Sequence, residues 1–115
     1  MKQTEIWLVN LDPTIGAEIR KIRPCIIVSD NSVGILALKI VVPVTDWKPQ
    51  YNNTPWMVGL SPNSSNGLQK ESAADCFQIR SLSQGRFVRK IGMLTVSEYK
   101  EIKVALSNVF SLFVV

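Results

Sequence analysis

Apolar positions along the chain come in short runs, separated by polar stretches rich in turn formers. Glu5 to Leu11 (EIWLVNL) reads as a first strand, with Trp7 as its large anchor. Ile22 to Ser29 reads as a second. Between them lies a loop of about ten residues through Asp12, Pro13, Thr14 and Gly16, longer than a simple hairpin needs. It carries Glu18, Arg20 and Lys21, with Arg23 at the start of the second strand. Charged groups held on a loop between buried strands are a common site of function. Ile35 to Val44 is an almost continuous apolar run, expected to be a strand with little solvent exposure. Pro43 cannot donate to a ladder, so this strand is expected to end or bulge there, placing Thr45, Asp46 and Trp47 at its mouth. Lys48 to Thr54 reads as a flexible Asn-rich loop and Pro55 to Leu60 as a short strand. Ser61 to Gly67 (SPNSSNG) is the clearest turn signal. Ser72 to Ile79 reads as one strand; after a turn at Ser83-Gln84-Gly85, Arg86 to Ile91 reads as another.

One helix is predicted, at the C-terminal end, after Gly92 closes the preceding strand. Thr95 and Glu98 form a T-x-x-E capping box, in which each side chain satisfies a backbone N–H that the helix leaves free. Val96, Tyr99, Ile102, Leu106, Val109 and Phe113 recur at spacings of three and four, an apolar stripe with Lys100, Glu101 and Lys103 off it. Beyond Lys103 the helix is apolar on more than one side. A single sheet covers only one face, so the surplus calls either for a second copy of the chain or for a tail folded back on its own core. Several short strands and one helix predict a mainly β (α+β) fold, a small barrel or strongly bent sheet.

A chain of 115 residues with 46% hydrophobic content supports a single domain, 1–115, with no linker or repeat. Cys25 and Cys76 each sit in an apolar pattern at no metal-ligand spacing and are expected to be buried free thiols. The polar start, Met1 to Glu5, does not read as a signal peptide. Val104 to Val115 is too short to span a bilayer, which takes ~20 apolar residues. No membrane is expected, and a cytoplasmic location is.

The chain has no histidine, which removes Ser-His-Asp and Cys-His catalysis and the commonest metal ligand. There is no Gly-rich phosphate loop, and the acidic residues are scattered singly. What remains is arginine, lysine, hydroxyls and a few carboxylates, with a net charge of +4. That set suits phosphate chemistry in which the protein stabilises developing charge. RNA brings its own nucleophile, the 2′-hydroxyl. Composition permits this chemistry without selecting it, and by itself favours a small β-rich binding module.

The stretch EIWLVNLDPTIGAEIRKIRPCIIVSDN resembles the MazF/PemK/Kid family of toxin endoribonucleases, whose pattern is strand, L-D-P-T-x-G-x-E, a short spacer, then R-P and an aliphatic strand. The similarity continues at VVPVTDW and at DCFQIRSLSQGRF, and the capped terminal helix fits. The resemblance implies an SH3-like small β-barrel with a C-terminal α-helix, assembled as a homodimer. It implies ribosome-independent cleavage of single-stranded RNA (mRNA), with no cofactor or metal, leaving 2′,3′-cyclic phosphate and 5′-hydroxyl ends. A MazE-like antitoxin would block the RNA groove with an acidic disordered segment.

Carried over by position, Arg23 matches the R-P arginine and Thr45 the strand-end threonine. The resemblance makes these the catalytic pair, Arg23 on the scissile phosphate and Thr45 orienting the phosphate or the 2′-hydroxyl. Glu18 matches the loop glutamate, and Gln78 and Arg80 match Q-x-R, with Gln78 offering an amide to a base edge. Arg20 and Lys21 lack strong family equivalents and would be phosphate contacts. Structural alternatives stand beside these roles: an Arg23–Glu18 ion pair, Thr45 as an ordinary strand end, a barrel salt bridge for Arg80. Lys48, Lys70, Arg89 and Lys90 read as solvated surface.

The chain departs from the Kid-like branch at Ala17, where that branch has a loop His, and at Asp75 and Phe77, where it has Arg and Asp. Its acid–base set therefore cannot operate here, while the Arg/Thr arrangement of the MazF branch is intact. Two alternatives follow: a weak or inactive RNA- or antitoxin-binding homologue, or a gyrase inhibitor of the CcdB type on the same fold. The ending Leu112-Phe113-Val114-Val115 lacks the Trp-Gly-Ile terminus of the latter.

Overall fold

A computed structural model describes residues 1–34 and 36–112. Seven strands and one helix follow in the order β1 (Glu5–Asn10), β2 (Ile22–Ile27), β3 (Leu38–Asp46), β4 (Met57–Leu60), β5 (Ser72–Asp75), β6 (Arg80–Ser83), β7 (Phe87–Met93) and α1 (Val96–Phe110). The strands pair antiparallel in the order β4-β5-β3-β2-β1-β7, with β6 also on β3, giving the small bent barrel-type sheet expected. Ile35, expected to open the third strand, and Phe113 to Val115 lie outside the described residues.

Three expectations about the strands are corrected. β3 does not end at Pro43. It runs on to Asp46. Pro43 to Val41 pair with Cys25 to Ile27 of β2 on one edge, while on the other edge β6 pairs up to Val41 and β5 from Val44 to Asp46. Pro43 falls in the gap between these last two ladders, where a missing N–H is tolerated. Second, Ser72 to Ile79 is not one strand. β3 advances three residues from Val41 to Val44 while the chain opposite advances six, from Ala74 to Arg80. The surplus is expelled as a turn after Asp75. The buried Asp75 carboxylate holds that turn by accepting the Phe77 N–H at 3.0 Å. Third, Gly92 lies inside β7 instead of ending a strand. Lys48–Thr54 likewise contains a 3-10 turn, Pro49–Asn53.

Alternation along the strands splits the core. Ile6, Ile26, Val42, Val44, Val58 and Leu60 face α1, which covers them with Ile102, Ala105, Tyr99, Leu106 and Val109. Val9, Cys25, Ile27, Val41 and Leu82 point to the other face, beneath Trp7, Phe87 and Ile19 of the long loop. The capping box forms as expected: Thr95 Oγ1 accepts the Glu98 N–H at 3.1 Å, and Glu98 Oε1 accepts the Thr95 N–H at 2.8 Å. Val96 does not join the buried stripe. It stands at the first helical position and is 90% exposed.

The Ser61–Gly67 segment is more than a turn. It crosses to β7 and seals one end of the sheet. Asn66 is fully buried; its amide donates to Ser61 O at 2.8 Å and Glu98 Oε2 at 3.0 Å, and its Oδ1 accepts the Leu68 N–H at 3.0 Å. Gly67 follows at φ +69, where a Cβ would lie 1.9 Å from Ile91 O. No described helix is long and apolar enough to cross a membrane.

Candidate functional site

The loop between β1 and β2 is built by its own polar residues and clamped from β6 and the turns beside it. Asp12 Oδ1 accepts from the Thr14 hydroxyl at 3.3 Å and the Lys21 N–H at 3.2 Å, and Leu11 N–H donates to Lys21 O at 2.9 Å, so the two ends of the loop meet. Glu18 closes a smaller ring by accepting the Ile15 N–H at 2.6 Å. Arg80 donates to Leu11 O at 2.8 Å, and Arg86, left unassigned by the sequence, donates to the carbonyls of Asn10 and Asp12. Three successive carbonyls are thus held by two arginines.

The turn expelled after β5 carries Gln78 to the middle of the loop. Its Oε1 accepts the Ile19 N–H at 2.6 Å and its Nε2 donates to Ala17 O at 3.3 Å. The amide expected at a base edge is therefore engaged with backbone. Beside it opens a groove of about 480 Å³ lined by Ala17, Glu18, Phe77, Gln78, Ile79 and Arg80. Phe77 is 68% exposed, 5.9 Å from the Trp56 ring, centroid to centroid. Neither aromatic was singled out as a functional residue; an exposed Phe in a turn carries no periodicity that would have marked it.

Arg23 and Thr45 lie on neighbouring strands. β2 and β3 pair as far as Cys25 and Pro43, each two residues short of them. Both are half-buried and belong to strands, whose rigidity a loop lacks. The alternative of an Arg23–Glu18 ion pair is not what forms. Arg23 Nε donates to Arg20 O at 3.2 Å, and Arg23 makes no ion pair among the described residues. Its charge is felt next door. The Asp46 carboxyl is held below the usual carboxylate range by its hydrogen bond from Lys70, with smaller contributions from the charges of Lys70, Arg23 and Lys48. Arg20 and Lys21 lie exposed on the loop near by, Lys21 at φ +71. The structure thus gathers Glu18, Arg20, Lys21, Arg23, Gln78 and Arg80 around one loop, with Thr45 on the strand next to that of Arg23.

The other departures from the family pattern are also placed. Burial raises the Asp75 pKa above the ordinary range, although the N–H groups of Phe77 and Gln78 pull it down, so this carboxylate supports a turn. Cys25 and Cys76 are buried free thiols, both pushed up to about 12, Cys25 by burial and Cys76 by burial reinforced by Asp75. Among the described residues no three His, Cys, Asp or Glu side chains converge as a metal site.

This chain is similar to known proteins along nearly its whole length. It is 35% identical to the endoribonuclease MazF9 of Mycobacterium tuberculosis over 112 residues, 92% of each protein. A 46-residue stretch is 48% identical to the endoribonuclease PemK of Escherichia coli, covering 39% of this chain and 35% of that one. Among solved structures, MazF from Deinococcus radiodurans superposes with a TM-score of 0.79 at 19% identity, covering 96% of both chains. A mycobacterial endoribonuclease in complex with its cognate antitoxin does so with a TM-score of 0.79 at 19% identity, covering 100% of this chain and 99% of that one. At such identities these two likenesses speak for the fold alone. The family model of PemK-like, MazF-like toxins of type II toxin–antitoxin systems matches residues 2–110, and the chain belongs to that family.

Proposed function

We propose that the protein is the toxin of a type II toxin–antitoxin pair and a sequence-specific endoribonuclease that cuts single-stranded RNA, mRNA included, without ribosome or metal. One observation carries the reading: an arginine with no ion pair among the described residues lies on the strand beside the one that ends at Thr45 and Asp46, its charge felt at Asp46, next to a loop pinned from three side chains. In this reading the 2′-hydroxyl of the substrate attacks the adjacent phosphorus and the 5′-oxygen leaves, giving 2′,3′-cyclic phosphate and 5′-hydroxyl ends. Arg23 places two N–H groups against the phosphate oxygens as their charge grows. Thr45 orients the phosphate or the attacking hydroxyl. Water carries the proton from the 2′-oxygen and supplies one to the 5′-oxygen, since the chain has no histidine to do so. Arg20 and Lys21 hold flanking phosphates. Glu18, Gln78 and Arg80 keep the loop in shape, with the outer edges of Gln78 and Arg80 open to the groove.

The relatives suggest the partners. A cognate antitoxin with an acidic segment fits a basic chain of net charge +4. A second copy would cover Leu38 and Ile40 of β3 with Phe110 at the end of α1 and Leu112 just beyond it, all of them exposed here. The site of action would be the cytoplasm.

The test is EDTA-treated protein on a long single-stranded RNA, with cuts mapped and ends identified, beside Arg23→Ala. Discrete cuts ending in 2′,3′-cyclic phosphate, lowered ~10²–10³-fold by the substitution, are expected. Tight RNA or antitoxin binding without cleavage would instead favour an inactive homologue, in line with the replacements at Ala17, Asp75 and Phe77.

A further inference from the structure

β2 and β3 part company after the Cys25–Pro43 pair, and β3 runs on to Asp46 with β5 on its other edge. Behind the parting a cavity of about 420 Å³ opens, floored by Leu8, Pro24 and Leu68 and rimmed by Lys70, Arg89 and Lys90. These cations read as unrelated surface charges in the sequence. The fold gathers them by laying the segment before β5 against β7. Pro24 and Asp46 are the chain neighbours of Arg23 and Thr45, and Lys70 binds Asp46 at 2.8 Å. Strand alternation puts the cavity on the opposite face of the sheet from the Arg23 and Thr45 side chains.

The rim has charge to spare. Lys70 faces Asp46 and Lys90 faces Glu5 at 3.3 Å, while Arg89 makes no ion pair among the described residues. The Lys70–Asp46 pair is more than half exposed at both ends, so it is weak and an incoming anion competes with it readily. An apolar floor under a cationic rim matches a nucleotide, whose base and sugar are flat and partly apolar and whose phosphate is anionic. The cavity is also within the size of small-ligand pockets.

We propose that this mouth is a nucleotide subsite, taking the base and phosphate of a residue flanking the scissile position of single-stranded RNA, with the phosphate on Arg89 and Lys70. The inference rests on the RNA-cleaving reading above. It would carry the RNA strand around the sheet, from the face that bears Arg23 to the face that bears Pro24.

The experiment measures binding of a fluorescent RNA containing the mapped cleavage sequence, blocked by a 2′-O-methyl group at the cut. A second RNA is truncated at the flanking nucleotides, on either side in turn. Wild type, Arg89→Ala, Lys70→Ala and Arg89→Lys are compared, each with its melting curve. Arg89→Ala is expected to weaken the full-length RNA about tenfold and to lower the salt slope by ~0.7, the value for one phosphate contact on a single strand. Arg89→Lys should restore most of the binding, and one truncated RNA should be bound equally by wild type and Arg89→Ala. Equal binding of the full-length RNA by all four proteins, while the wild type still cuts RNA, overturns the subsite and leaves the function standing. So does an equal loss on both truncated RNAs, which would mark a diffuse field. A wild type that neither binds nor cuts RNA overturns both.

Discussion

The side-chain amide of Gln78 holds the backbone of Ile19 and Ala17, accepting one N–H at 2.6 Å and donating to one carbonyl at 3.3 Å. The two segments lie 59 residues apart in the chain at the shorter bond. The conformation of the loop that carries Arg20 and Lys21 is thus set by a residue on another element. Replacing Gln78 with Ala removes both bonds, each worth ~0.5–1.5 kcal/mol net. RNA cleavage should fall at least several-fold, and the melting temperature by several degrees, since ~1 kcal/mol moves it by roughly 4 °C or more in a domain of this size. Amide exchange at Ile19 should accelerate in parallel. Unchanged exchange would mean that the loop holds itself.

Glu5 makes the fold sensitive to acid. Burial alone would raise its pKa, but hydrogen bonds from the Trp7 indole, the Lys2 N–H and Lys90, with the Lys90 charge, outweigh this and bring it down from 4.5 to about 2. A depressed carboxylate stabilises the fold fully above its unfolded pKa. That contribution should fade as the pH drops from about 4.5 towards 2. Asp75 acts with the opposite sign, its raised pKa favouring the protonated form. The comparison that isolates Glu5 is therefore between wild type and Glu5→Gln, by urea midpoint against pH. The gap between them should close on acidification.

The seam between Gly67 and β7 admits no side chain. At φ +69, and with Ile91 O 1.9 Å from where a Cβ would lie, Gly67→Ala must displace β7 or the segment before β5. A loss of more than about 3 kcal/mol is expected, at the severe end for single substitutions. Asn66→Ala, which strips partners from Ser61 O, Glu98 and the Leu68 N–H, should cost about 1–3 kcal/mol. Chemical denaturation checks both. A Gly67→Ala protein as stable as wild type would show that the seam relaxes freely.

The two thiols should be inert in the folded protein. Both are buried and pushed up to about 12, so almost no thiolate exists near neutral pH. Reaction with a disulfide reagent should be slow natively and release two equivalents on unfolding. Fast native labelling at either position would contradict the burial.

Loss of the Thr95 hydroxyl should cost ~1 kcal/mol, as capping alone predicts. Glu98 should cost more, because its second oxygen also accepts from Asn63 and Asn66 at 3.2 and 3.0 Å. Melting of Thr95→Ala against Glu98→Ala tests the ranking, and Thr95→Ala as the larger loss would refute it.

The local pattern determined much of this protein by itself. Short apolar runs bounded by turn formers located β1, β2 and β7, and the Thr95–Glu98 box located the helix start, because these features depend on neighbours within one strand or one turn. The motif around Arg23-Pro24 was legible for the same reason, as was the presence of a long charged loop. What only the tertiary structure decided was set by partners distant in sequence. Pro43 reads as a strand end until it is seen in the gap between β6 and β5 along one edge of β3, with β2 on the other edge. The stretch after Ser72 reads as one strand until β3 offers three residues against its six, expelling the turn that carries Phe77 and Gln78. Arg23 and Thr45 come to adjacent strands, and Lys70 meets Arg89 and Lys90, through register and sheet curvature. A sequence holds no local record of either, since each is the sum of pairings made elsewhere in the sheet.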